Sequence, residues 1–307
     1  MEKDFHYYLI YGISKMTGFE KADIIAASSQ FVDDNNEGQF SIDDRPTGFP
    51  EKIPANGGHY YPIMTQSLSP KSLNPYVQKY VYVPFHFIPG DNSTVIDKEK
   101  NPLTTTPGSP NATAILNKAL ESDNPYQLGI ALHTYADTWS HQNFTGMQEG
   151  WNSVYPWYNV FKSFVPNIGH AEAGHAPDVI SEDWTDHRLG EKIVNRKRAF
   201  RATAEIYKAM RRKAGSGPYW TEIQGDFRKI INATGYDDRK KKIDDLLTEN
   251  GLGTVPKYSK DDWIDAALDR KKEQIVMHEG FEKTDWYRFH QAAKIQLATV
   301  LELIKEL

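Results

Sequence analysis

A chain of 307 residues with 39% apolar and 12% aromatic side chains can bury a substantial core, and nothing in that composition points to disorder. Its net charge of −5 is too mild to argue for a polyanionic partner, and with no cysteine any metal site must be built from nitrogen and oxygen ligands. The sequence shows neither a secretory leader nor an apolar run approaching ~20 residues, so the expectation is a cytoplasmic protein without a transmembrane segment.

The first expected helix spans Asp4 to Met16, with Phe5, Leu9 and Ile13 four apart, and Gly18 ends it. A second runs from Glu20 to Phe31 and closes on Asp33-Asp34-Asn35-Asn36. From there to Asn111 the chain is rich in Pro, Gly, Ser and Asn, and such long irregular stretches are often functional. Two segments within it read as strands, His59–Met64 and Tyr80–Phe85. Paired antiparallel, they form a short β-hairpin that makes His59 and His86 neighbours.

Helix returns over Ala112–Glu121 and from Pro125 to Asn143, and a loop with Pro156 and Pro166 follows. The remainder, 181–307, reads as helical and charged. Leu189, Ile193, Phe200, Tyr207 and Met210 mark one long helix, and Trp286 to Ile304 mark the last. Arg196-Lys197-Arg198 and the run Arg239 to Lys242 read as solvated helix faces, because acidic residues flank both. The whole of 1–307 is expected to be one metal-binding helical domain, with the metal motifs in 1–180.

The strongest chemical signal is His133-Thr-Tyr-Ala-Asp137-Thr-Trp-Ser-His141. At about 100° per residue, positions four apart lie on one helical stripe. His133 and Asp137 can hold one metal, Asp137 and His141 another, with the carboxylate bridging. The bland alternative is a helix with two surface histidines. Apolar neighbours such as Leu128, Ile130, Leu132 and Trp139 argue for burial instead, and a buried unpaired aspartate is costly. Downstream, Gly169-His170-Ala-Glu-Ala-Gly174-His175-Ala-Pro-Asp178 offers two imidazoles and a carboxylate close together. His6 on the first helix and Asp33-Asp34 after the second are further candidates. His187, His278 and His290 have no partner pattern and read as ordinary surface or core-edge residues.

In this order the motifs resemble the zinc-dependent phospholipase C and single-strand nuclease superfamily. They also resemble an uncharacterised bacterial family that opens with a DFHYY-like segment, here Asp4 to Tyr8. The superfamily's order is met by His6, by Asp33 in Gln-Phe-Val-Asp-Asp, and by His86 in His-Phe-Ile-Pro-Gly-Asp. It continues with His133 and Asp137, then His141, then His175 with Asp178. The resemblance implies an all-α, multi-helix phospholipase C/nuclease-like domain with two or three Zn²⁺ ions in a cleft. It departs in three respects. Five residues precede His6, where the superfamily's mature N-terminal amine ligates zinc. The interval from Asp137 to the next histidine is short, and the closing pair is His-x-x-Asp with His170 as an extra candidate.

The resemblance therefore implies hydrolysis of a phosphate ester, on a phosphate-containing small molecule or lipid. Bound zinc lowers the pKa of water from 15.7 to about 7. On this reading Asp137 bridges, His133 and His86 complete one site, and His141, His175 and Asp178 the other. Asp33 is a ligand or the group that orients or deprotonates the water. Aromatic residues such as Phe87 can cover a substrate or belong to the core. The competing reading is a metal-stabilised helical protein that binds a partner and hydrolyses nothing. An amide hydrolase ranks lower, because no His-Glu-x-x-His helix is present.

Overall fold

The computed structural model describes residues 1–36, 53–55, 58–60, 62–67, 70–91, 93–155, 165–270 and 276–305. Tyr61, Pro156 and residues 37–52 of the irregular stretch lie outside them, and of His59 only the backbone is described.

Phe5, Leu9 and Ile13 step four apart and are fully buried, which is why the chain opens as a helix. Its first part, Asp4–Leu9, is wound as a π-helix, and α1 (Ile10–Met16) continues it. π-Turns are rare and gather at functional sites; this one carries His6. Gly18, at φ 84°, turns the chain toward α2 (Ala22–Asp34). β1 (Ile53–Ala55) and β2 (Gly58–Tyr60) pair antiparallel, with Pro54 opposite His59.

The strand expected over 80–85 is corrected. That segment is helical, running through α3 (Pro75–Val77), a π-turn over Gln78–Tyr82 and α4 (Val83–Phe85). The Asn74 side chain accepts from the Tyr76 amide at 2.9 Å with Pro75 at the first helical position, a strong start signal. Val77, Val81 and Phe85, four apart, are all buried. Pro84 has no N–H to donate to the preceding turn. Beyond it the amides of His86 and Phe87 both donate to the Tyr82 carbonyl at 2.9 Å. His86 thus sits at a helix end, not on a strand beside His59.

α5 (Pro110–Glu121) and α6 (Pro125–Ser140) start alike, each with a capping side chain, Ser109 or Asn124, followed by proline. α6 is buried along nearly its whole length. Gly129 lets it pack closely on α2, since a Cβ there would lie 2.4 Å from the Ile25 carbonyl oxygen and 2.5 Å from Ser28 Cβ. That contact brings the end of α2 beside the second half of α6.

The long helix expected from Leu189 begins later. β3 (Asp183–Asp186) and β4 (Glu191–Val194) form a hairpin that takes Leu189 and Ile193, and α7 runs over Asn195–Ala214. Gly190 at φ 65° suits the tight turn, and Trp184, Thr185, Ile193 and Val194 favour strands. α8 (Trp220–Ile231), α9 (Tyr236–Glu249) and α10 (Lys260–Ala267) follow. β5 (Leu268–Asp269) and β6 (Val276–Met277) pair antiparallel before α11 (Asp285–Leu303).

The all-α expectation is therefore corrected. Helices dominate, but three two-stranded antiparallel sheets occur among the described residues, and the class is mixed and mainly helical. One core cluster joins α1, α2, α5 and α6 to α7, α8 and α9; another lies among α2, α4, α10 and α11. The solvated face expected at Arg239 is also corrected, because its side chain is only 2% exposed. No described helix is long and apolar enough to cross a membrane.

Candidate metal centre

Four elements deliver histidine and aspartate to one place. The π-turn supplies His6, the end of α2 supplies Asp33, the residue after α4 is His86, and α6 carries His133 and Asp137. Asp137 is the hub. Its Oδ1 lies 3.1 Å from His6 Nε2, and its Oδ2 lies 3.1 Å from both His86 Nδ1 and His133 Nε2. Asp33 Oδ1 is 3.7 Å from His133 Nε2 and 3.9 Å from His86 Nδ1. A second cluster adjoins, with Asp178 Oδ1 3.0 Å from His141 Nε2 and Asp178 Oδ2 3.2 Å from His170 Nε2. The amino group of Met1 lies between the two, 2.6 Å from Asp137 Oδ1 and 3.1 Å from Asp178 Oδ1.

Three donor triads follow, each with ligand atoms within 4.8 Å of one another: His6, His133 and Asp137; Asp33, His86 and His133; and His141, His170 and Asp178. Those triads could hold metal ions. Ring orientation fits that use. A backbone carbonyl only accepts, so the ring nitrogen facing one must carry the hydrogen. His133 Nδ1 donates to the Ser29 carbonyl at 2.8 Å, and His86 Nε2 donates to that of Thr65 at 2.9 Å. His141 Nδ1 donates to the His86 carbonyl, and His170 Nδ1 to that of Gly174, each at 2.9 Å. In all four rings the other nitrogen, with its lone pair, turns toward the carboxylates. Carbonyl-anchored imidazoles of this kind are what metal-ligating histidines show.

The charges balance only as a set. Burial opposes ionisation of Asp137, but the Met1 ammonium and the surrounding histidines outweigh it and hold the carboxyl well below its usual range. Asp178 behaves likewise, with the Met1 ammonium, His170 and His141 overcoming burial. Burial opposes the charged Met1 amine, yet Asp137, Asp178 and Asp33 raise it to about 11. His6 is pushed well below the ordinary imidazole value, by burial first and then by His133. Asp33 is raised by burial, against the pull of His133 and His86. A buried cluster rich in acceptors and lone pairs is a setting that a divalent cation satisfies.

The residues read from sequence divide clearly. His6, Asp33, His86, His133, Asp137, His141, His170 and Asp178 come together. The expected bridge of Asp137 between His133 and His141 is corrected. Asp137 lies beside His141 as well as His133, with His141 Nδ1 3.7 Å from its Oδ2. That nitrogen is spent on the His86 carbonyl, however, and Nε2 turns to Asp178, so the carboxylate's ring-nitrogen lone-pair neighbours are His133, His6 and His86. His175 belongs to none of the triads; it is exposed at the cleft rim, and His170 partners Asp178. Asp34 turns away, accepting from Tyr258 Oη at 2.8 Å. His290, expected at an edge, is fully buried and accepts from the Ile63 amide at 3.1 Å. The start of the chain, read as a departure from the resembled superfamily, nonetheless places the Met1 amine against both clusters.

The clusters line the floor of a cleft of about 620 Å³ that reaches Asp33, His86, Asp137, His141, His170 and Asp178. Phe87 stacks on His141 with ring centroids 4.5 Å apart and forms part of the wall. Tyr82, Ile168 and Tyr236 add apolar surface, and Lys3 and Gln66 add polar groups. Such a cleft can admit a small substrate to the donors.

No curated protein matches the chain, and no solved structure does. A family model matches residues 1–304, and on that extent the chain belongs to DUF6765, a family of unknown function.

Proposed function

We propose that this protein is a zinc-dependent phosphoesterase acting on a small phosphate ester or a phospholipid. The observation that carries the reading is the convergence of five histidines and three aspartates, six of the eight lining one cleft, with four of the rings anchored through backbone carbonyls. Imidazole and carboxylate donors without cysteine suit zinc. The ester class rests on the resemblance of the motif order, from His6 to His141, to that of the phospholipase C and nuclease superfamily.

His6, His133 and Asp137, with His86 and Asp33, would hold metal on one side, and His141, His170 and Asp178 on the other. When bound, a divalent metal polarises a phosphoryl oxygen and makes water nucleophilic at neutral pH. Asp33, the most exposed of the inner carboxylates at 27%, has a pKa raised by burial and opens on the cleft, which suits it to take or position a proton of attacking water. Phe87 and Tyr82 would shield the reacting group from bulk water.

The test is elemental analysis of the purified protein, followed by assay on bis(p-nitrophenyl) phosphate, phosphatidylcholine and single-stranded DNA. Two or three zinc per chain and slow, chelator-sensitive turnover of at least one substrate are expected. A zinc-loaded protein inert on all three would favour a metal-stabilised binding protein, and a protein that takes up no metal would end the reading altogether.

A further inference from the structure

We infer that Arg239, on α9, is a positioning residue for the metal centre: through Asp4 it fixes the π-turn that presents His6 to Asp137. The inference rests on the metal-centre reading for its functional meaning, though not for its structural content.

The basis is a clamp between distant parts of the chain. Arg239 Nη1 is ion-paired with Asp4, and both side chains are buried, at 2% and 4% exposure. Arg239 Nη2 also donates to the Ala233 carbonyl at 3.0 Å, which holds the guanidinium against the loop before α9. One turn earlier on α9, Tyr236 Oη donates to the Glu2 carboxylate. The Glu2 carbonyl in turn accepts from the Phe5 and His6 amides at 2.9 and 3.0 Å. Residues 2 and 4 are thus gripped by the first turn of α9, and residue 6 projects from the same short segment into the site. His6 makes its 3.1 Å contact with Asp137 and stacks on His133 with ring centroids 3.8 Å apart.

A solvated Arg–Asp pair could hold nothing in place, being worth little. A buried one is different, because breaking it leaves an uncompensated charge. It is an expensive way to hold two helices together, and apolar packing of the same volume would serve stability as well. What the pair adds is one register, since one planar guanidinium takes Asp4 through Nη1 and the Ala233 carbonyl through Nη2, two directions fixed together. A π-turn carrying a ligand needs that register, because sliding by one residue would take His6 out of the cluster.

The experiment compares wild type, Arg239→Met, the neutral pair Asp4→Asn/Arg239→Gln, and Leu297→Ala in the other core cluster as a control for general destabilisation. Each is titrated with zinc after chelation, and amide hydrogen exchange is followed over residues 4–9. Arg239→Met should weaken zinc binding at least tenfold or lose one ion per chain, with exchange over 4–9 at least tenfold faster. The neutral pair should recover binding to within about threefold. Leu297→Ala should keep wild-type zinc affinity even where its melting temperature falls as far. The proposal is overturned if Arg239→Met keeps wild-type affinity and protection, or if Leu297→Ala at matched stability loses metal equally. If wild type itself takes up no zinc, the metal-centre reading fails, and unchanged exchange over 4–9 in Arg239→Met is then what overturns the clamp.

Discussion

Replacing Asp137 with asparagine removes one negative charge from the centre of the cluster while keeping the side-chain shape. In the metal-free protein the Met1 ammonium then loses its 2.6 Å partner, and His6, His86 and His133 lose the carboxylate they share. Removing one partner of a buried charge pair costs about 3–5 kcal/mol. Asp178 stays 3.1 Å from the Met1 nitrogen, so the lower end, ~3 kcal/mol, applies. Unfolding entropy of about 2.1 cal/mol/K per residue gives ~0.6 kcal/mol/K for 307 residues, so Tm should fall by ~5 °C without metal. With zinc at about a hundred times its Kd the wild type gains a further ~2.7 kcal/mol, and the gap widens to ~9 °C if the mutant site is lost. The assay is scanning calorimetry with and without zinc, paired with elemental analysis. Asparagine still offers an oxygen but cannot supply the charge that lets two dications lie close, so at least one ion per chain should disappear. Full metal content with an unchanged Tm in both conditions would refute the assignment of Asp137 as the hub.

Gly129→Ala should destabilise by about 1–3 kcal/mol through overpacking, although alanine gains ~1 kcal/mol of helix propensity. The new methyl would meet the backbone oxygen of Ile25, which has little room to move. Because that contact sets α2 against α6, zinc affinity should fall with it, and a variant more stable than wild type in urea would contradict the packing argument. His290 gives a pH signature apart from the metal ligands. Burial, then Lys294, lowers it to about 3 in the folded protein, whereas an unfolded histidine protonates near 6.5. The unfolded chain therefore binds the extra proton between these values. This group's stabilisation is complete above about pH 6.5 and is lost at about 1.4 kcal/mol per pH unit on the way down to ~3. Urea midpoints at pH 6.5, 5.5 and 4.5 should fall more steeply for wild type than for His290→Gln, and parallel curves would rule this out.

Much of the site was legible because ligand chemistry leaves local traces. Imidazoles and carboxylates spaced at helical intervals stand out against apolar neighbours, which is how His133 and Asp137 were recognised. His170 and Asp178 stand out through a glycine-punctuated loop, and His6 through its place on the first helix ahead of the other motifs. Helix periodicity in the same way marked the first helix, through Phe5, Leu9 and Ile13, and α11, through the steps of three and four from Trp286, because each buries those positions. What sequence could not decide was partnership. Tyr80 to Phe85 is rich in valine and aromatic residues like a strand, yet Asn74 and Pro75 begin a helix there and Val77, Val81 and Phe85 share its buried face. The choice of His170 over His175 and of Asp33 over Asp34 depends on which way a loop or a helix end points, and neighbouring residues of the same type do not encode that. The run containing Arg239 looks like any charged helix. Only the fold, by bringing residue 4 against residue 239, turns one member of that run into a buried anchor, since desolvation is a property of what packs over a side chain and not of the side chain itself.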